Sequence, residues 1–152
     1  MDELLWEGRL KSSEPVAIYK MPTKGSRCIV LQARTKAGII ADRWVMEHEP
    51  GVFRLESHHS KFDMGSQQQI TIVNHPSEGI GSRLIALALK EVCQRGGRQV
   101  HLQSIENKRW ARHLVEKLGA TRTDENPTLV DVVWEKDQLT LDRRQAWHQF
   151  LE

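Results

Sequence analysis

Residues 72–84 read Ile72-Val-Asn-His-Pro-Ser-Glu-Gly-Ile-Gly-Ser-Arg-Leu84. A β-rich run, Gln69–Val73, leads into this stretch, and a helical pattern leaves it. Leu84, Ile85, Ala88, Leu89 and Val92 recur at three- and four-residue steps, which lays one apolar stripe along a helix. Gly79 and Gly81 therefore stand where a strand ends and a helix begins. The first amides of a helix have no acceptor within it, and its dipole adds partial positive charge there. With no side chains in the way, a diphosphate can approach the main chain. On spacing alone, a Gly-x-Gly is equally a tight turn in which glycine relieves backbone strain.

Working outward, Gly96-Gly97 stops this helix and Gln99–Gln103 alternates as a strand does. Asn107–Leu118 returns to helical spacing, with Trp110, Ala111, Leu114, Val115 and Leu118 on one face and Gly119 where a left-handed cap is wanted. Thr128–Trp134 reads as a further strand. Residues 69–134 thus run strand, helix, strand, helix, strand, with the central unit expected to be a right-handed crossover between parallel strands. Upstream, Arg27–Ala33, Gly38–His48 and Val52–Glu56 read as strands of a mostly antiparallel sheet, with a turn at Pro50-Gly51. Downstream, Ala146, Trp147, Phe150 and Leu151 predict a terminal helix over Leu141–Leu151, with Thr140 as N-cap and Asp142 in its first turn. The expected architecture is a mixed α/β (α+β) single domain over 1–152. Its parts are N-terminal strands over 1–68, a cofactor-binding half over 69–134 and a C-terminal helix over 135–152.

His75-Pro76 followed by Gly-Ile-Gly-Ser-Arg-Leu-Ile resembles the acetyl-CoA signature of the GNAT N-acetyltransferases. Asn107 through Glu116-Lys-Leu-Gly119 is similar to that family's downstream asparagine and Glu-Lys-Leu-Gly segment. The resemblance covers about residues 69–134. It implies acetyl-CoA as cofactor, with pantetheine lying in a V-shaped opening between the strand ending near Asn74 and the strand at Val100. The pyrophosphate would rest on the amides of Gly79, Ile80, Gly81 and Ser82, and Asn107 would steady the pantetheine arm or the thiol end. In such enzymes an amine attacks the thioester directly, so the protein's tasks are placement and proton transfer. Glu56 and His58, in the cluster Glu56-Ser-His-His59, are the candidates for handling the proton, since neutral histidine titrates near pH ~6.5. A solvated turn is the plainer reading of that cluster.

The chain also departs from the family pattern. Only Ser77 and Glu78 separate His75-Pro76 from Gly79, a shorter loop than is usual. Pro76 offers no amide donor, and Glu78 places an anion beside the proposed pyrophosphate. Val115 occupies the usual tyrosine position, and Ala120 replaces the aromatic after the glycine. These departures motivate a second expectation: a GNAT-like scaffold without catalysis, serving as adaptor, inhibitor or structural subunit, for instance in a phage or mobile element. Such a scaffold would assemble with itself or a protein partner through the C-terminal helix.

Composition narrows the remaining classes. With 39% hydrophobic and 28% charged residues, the chain has the make-up of a folded globular domain. A net charge of +2 is too small to require nucleic acid, and the basic residues Lys108, Arg109, Arg112 and Lys117 read as a solvated helix face. No histidine pair has metal-ligand spacing backed by a carboxylate, so no metal is expected. Cys28 and Cys93 read as core thiols. The acidic N-terminus is no secretory signal and no apolar run spans a bilayer, so the expectation is a cytoplasmic protein without a membrane partner.

Overall fold

The computed structural model of the protein describes residues 2–21, 27–57, 79–125 and 128–152. They form eight strands and two α-helices, a mixed α+β fold whose described pairings are antiparallel in all but one case. The chain groups into two compact units, residues 1–46 with 56–85 and residues 47–55 with 86–152.

In the first unit β1 (Glu3–Arg9), β2 (Pro15–Met21), β3 (Cys28–Thr35) and β4 (Gly38–Glu49) pair antiparallel in succession. The register sets Trp6 opposite Ile18, Ile18 opposite Ala33, Leu31 opposite Arg43 and Ile29 opposite Val45. Residues directly opposite in an antiparallel pair share a face. One face therefore collects Ile18, Leu31 and Ala33, all 0% exposed, and it is the core face. Fully burying the Ile18 and Leu31 side chains contributes about 1.5–3 kcal/mol each. Helix α1 (Ile80–Gln94) begins in this unit, with Leu84 and Ile85 buried.

In the second unit the strand order is β5 (Val52–Glu56), β6 (Gln99–Ile105), β8 (Val130–Glu135), β7 (Thr121–Glu125). β5 runs parallel to β6, so the strand that pairs with β6 across the helical crossover is Val52–Glu56. This corrects the expected partner, Gln69–Val73, which lies outside the described residues. The sign was in the burial: Val52, Phe53 and Leu55 are 5%, 3% and 2% exposed, as in a parallel strand covered on both faces, although Arg54 gives the segment an alternating look. α1 ends at the expected glycines. A Cβ on Gly97 would lie 2.2 Å from Val92 Cγ1 and 3.0 Å from Phe53 Cε1, so no larger residue lets the chain turn so close to β5.

Helix α2 (Lys108–Leu118) has the expected ends. The Asn107 side chain accepts from the Trp110 amide at 3.0 Å, and Gly119 closes the helix at φ +80°. Three consecutive carbonyls at its C-terminus are satisfied by side chains from later in the chain. Gln149 Nε2 donates to Lys117 O (3.0 Å), Trp134 Nε1 to Leu118 O (2.8 Å) and Gln138 Nε2 to Gly119 O.

The C-terminal helix is present but shorter than expected, a 3-10 helix over Ala146–Leu151. Leu141–Gln145 is not helical, because Asp142 accepts from the Arg144 amide (2.9 Å) and pairs with its guanidinium (2.7 Å), a local arrangement that competes with a helix start. Thr140 is not its N-cap; its hydroxyl accepts from Gln145 Nε2. Trp147 is 0% exposed and its Nε1 donates to Gln138 O at 2.8 Å.

Candidate functional site

α1 starts directly after Gly79, where the sequence placed the beginning of a helix. Gly79 is exposed and has φ +82°, and among the described residues nothing lies within 4 Å of a Cβ placed there. The Arg83 amide donates to Gly79 O at 3.4 Å, which closes the first turn of the helix. The first turn carries no acidic residue. Ile80 and Ser82 are each 6% exposed and Gly81 is half-buried, which anchors the turn while Gly79 faces outward.

Two residues add to this picture that motif reading passed over. Arg83 lies with its guanidinium carbon 3.9 Å from the Trp6 ring centroid, which ties the first turn of α1 to β1 within the first unit. Burial holds the Arg83 pKa below its ordinary value, yet a guanidinium stays charged. The Trp6 ring in turn lies over Gly8, where a Cβ would come 2.5 Å from it. The signal available in the sequence was a tryptophan and a glycine two residues apart, hence on one strand face.

In the second unit the parallel register of β5 and β6 covers Val52↔Gln99, Phe53↔Val100 and Arg54↔His101. Among the described residues it ends there, although β5 continues to Glu56 and β6 to Ile105. β6 also breaks step with β8 between Leu102 and Ile105. Ser104 sits there at φ +60° with its amide donating to Asp131 Oδ1 at 2.8 Å.

The candidate residues fall as follows. Gly79, Ile80, Gly81 and Ser82 lie together at the start of α1 in the first unit. Glu56 is half-buried at the end of β5. Asn107 is exposed in the second unit, with its side-chain oxygen committed to capping α2. His58 and Asn74 lie outside the described residues. Val115 is half-buried, and Ala120 is 5% exposed. Among the described residues no group of three or more His, Cys, Asp or Glu is placed to hold a metal ion, and no helix is long and apolar enough to cross a membrane.

No protein-family model and no curated protein sequence matches the chain. Solved structures do. The cAMP-binding acyltransferase from Mycobacterium smegmatis is 12% identical with a TM-score of 0.59, over 99% of this chain and 55% of that one. This chain thus spans about half the length of that protein. A GNAT family acetyltransferase from Elizabethkingia anophelis with acetyl-CoA bound is 10% identical with a TM-score of 0.56, over 79% of this chain and 97% of that one. Aminoglycoside 6'-acetyltransferase type Ii is 16% identical with a TM-score of 0.52, over 74% and 71%. The fold is therefore GNAT-like.

Proposed function

We propose that this chain is an acyl-CoA-dependent N-acyltransferase that moves an acetyl group from acetyl-CoA to an amine. The observation that carries the reading is the glycine-flanked start of α1. There an outward Gly79 at positive φ leads into the first turn of a helix, a turn free of acids at the positive end of the helix dipole, on a GNAT-like fold.

The amides of Gly79 to Ser82 would hold the pyrophosphate, with the stacked Arg83 adding positive charge next to them. Asn74 would border the pantetheine. Bound acetyl-CoA would supply an acetyl thioester, whose C–S bond breaks as the new C–N bond forms. Glu56 and His58 would take the proton that the amine loses. This proton is matched by the one taken up by the departing thiolate, so the products are an N-acetyl amine and a free thiol.

Calorimetric titration of the purified chain with acetyl-CoA tests the reading. Binding heat and a thermal shift are expected, and neither appearing at millimolar ligand rejects it.

A second reading, a scaffold without catalysis, is supported by Val115, which brings no hydroxyl to the place where similar enzymes hold a tyrosine. Acetyl-CoA binding without thiol release across a broad amine panel selects it.

A further inference from the structure

β6 carries a histidine whose neighbours fix which ring nitrogen bears the hydrogen. Gln99 and His101 lie two residues apart on β6 and share a face, and the register sets Glu135 of β8 opposite Gln99. Gln99 Nε2 donates to Glu135 Oε1 at 3.0 Å and Oε2 at 3.3 Å, and Gln99 Oε1 lies 2.8 Å from His101 Nε2. A carboxylate only accepts, so the amide turns its NH2 to Glu135 and its oxygen to the ring. That oxygen also only accepts. His101 Nε2 therefore carries a hydrogen, and in the neutral ring Nδ1 holds the lone pair. Among the described residues Nδ1 has no hydrogen-bond partner, and it is not one of the buried atoms that lack one. On this half-buried ring it is the nitrogen left to accept a proton.

The ring also stands where two parallel strands part. His101 and Arg54 form the last pair of the β5–β6 register, and beyond them both strands run on without bonding to each other. The charged groups on the same face of the flanking strands are Arg54 on β5 and Glu135 and Asp131 on β8. An imidazole seated on a strand and oriented by a third group has the fixed geometry that proton transfer needs. We infer that His101 takes, at Nδ1, the proton that turns the acceptor's ammonium group into an amine. This role rests on the acyltransferase reading. An aliphatic amine, with a pKa of about 10, arrives as ammonium at neutral pH, so its nitrogen loses a proton before attack and another during it. The first passes to Nδ1 and frees the lone pair, and the imidazolium then returns it to water. The second, lost as the C–N bond forms, is the one that Glu56 and His58 would take.

The test measures thiol release from acetyl-CoA at neutral pH by the full chain, His101→Gln and Gln99→Leu. The acceptors are ethylamine, which is ammonium under these conditions, and methoxyamine, which is neutral. His101→Gln is expected to lower kcat with ethylamine about a hundredfold, at the low end of what a positioned base contributes, and to leave the methoxyamine rate and the KM for acetyl-CoA within about twofold. Added imidazole should restore part of the ethylamine rate, beyond its effect on the parent. Equal losses with both amines and no rescue overturn the proposal. If His101→Gln does not fold, Gln99→Leu decides: it should slow ethylamine selectively, and an equal effect on both amines overturns the proposal.

Histidine 15N spectra of the parent check the tautomer without any activity. The ring whose signals move in Gln99→Leu should be protonated at Nε2, and a ring protonated at Nδ1 overturns the proposal. A parent that releases no thiol with either amine sinks the acyltransferase reading and takes this role with it. A parent that acetylates ethylamine as fast as His101→Gln does sinks the role of His101 alone and leaves that reading standing.

Discussion

Arg83 lies face-on to Trp6, its guanidinium carbon 3.9 Å from the ring centroid, so the first turn of α1 is fastened to the edge strand β1. If the amides beside Arg83 receive the pyrophosphate, loosening this stack weakens acetyl-CoA binding. A cation–π contact of about 0.5–1 kcal/mol corresponds to about a two- to fivefold rise in Kd for Trp6→Ala. Trp6→Phe should recover most of the loss. Calorimetry on the two variants checks this, and equal Kd values for Trp6→Ala and the parent would remove Arg83 from the site.

Two glycines flanking α1 should respond to alanine for different reasons. At Gly79 a methyl group meets none of the described residues, so the expected cost is that of the left-handed backbone, about 1–2 kcal/mol. At Gly97 the methyl group would sit 2.2 Å from Val92 Cγ1, so the cost is overpacking, about 1–3 kcal/mol. Urea denaturation measures both. Asparagine, which tolerates the left-handed region, should be milder than alanine at Gly79 and worse than alanine at Gly97. Asparagine and alanine behaving alike at both sites would show that neither account holds.

Trp147 is 0% exposed, and its Nε1 donates to Gln138 O. Trp147→Ala is expected to destabilise the chain by about 3–5 kcal/mol, a loss on the scale of a buried aromatic. Removing Leu141–Glu152 should lower the melting temperature in the same way. A truncated chain that melts like the parent would mean that the terminal segment does not contribute to the core.

His113 stacks on Trp110, with ring centroids 5.5 Å apart, and meets Phe150 edge-on at 5.9 Å. Burial first, and Lys117 second, hold its pKa below 6.5 against the opposing pull of Glu116. With the folded-state value depressed, the unfolded chain binds the proton more readily. Stability is therefore undiminished above the unfolded value and falls as pH drops below about 6.5 toward the folded value. Urea midpoints of the parent should decline across that window, and those of His113→Gln should decline less. Parallel profiles would exclude His113 as the source.

Burial pushes the Cys93 thiol up to about 11. In the native chain at pH 8 this thiol should resist iodoacetamide, which needs the thiolate, and it should react once urea unfolds the protein. Native labelling of Cys93 at the rate of a free thiol would contradict this environment.

Much of the second half of the fold is legible in the residues. Asn107 and Gly119 bracket α2, and Gly96-Gly97 closes α1, because capping and chain reversal leave residue-specific marks. β7 leaves no such mark. Thr-Arg-Thr-Asp-Glu has no apolar residue, and it is a strand because β8 offers it a partner. β1 is hidden similarly, since Glu3, Glu7 and Arg9 suit an exposed edge and mask Trp6. The pairing of β5 with β6 is a long-range choice, and residues 69–73 had the stronger β composition.

The three donors at the end of α2, Gln149, Trp134 and Gln138, are all electrically neutral. Added salt does not screen such bonds as it screens a lysine or arginine placed against a helix terminus. This end of the helix should therefore hold equally well in dilute buffer and in brine.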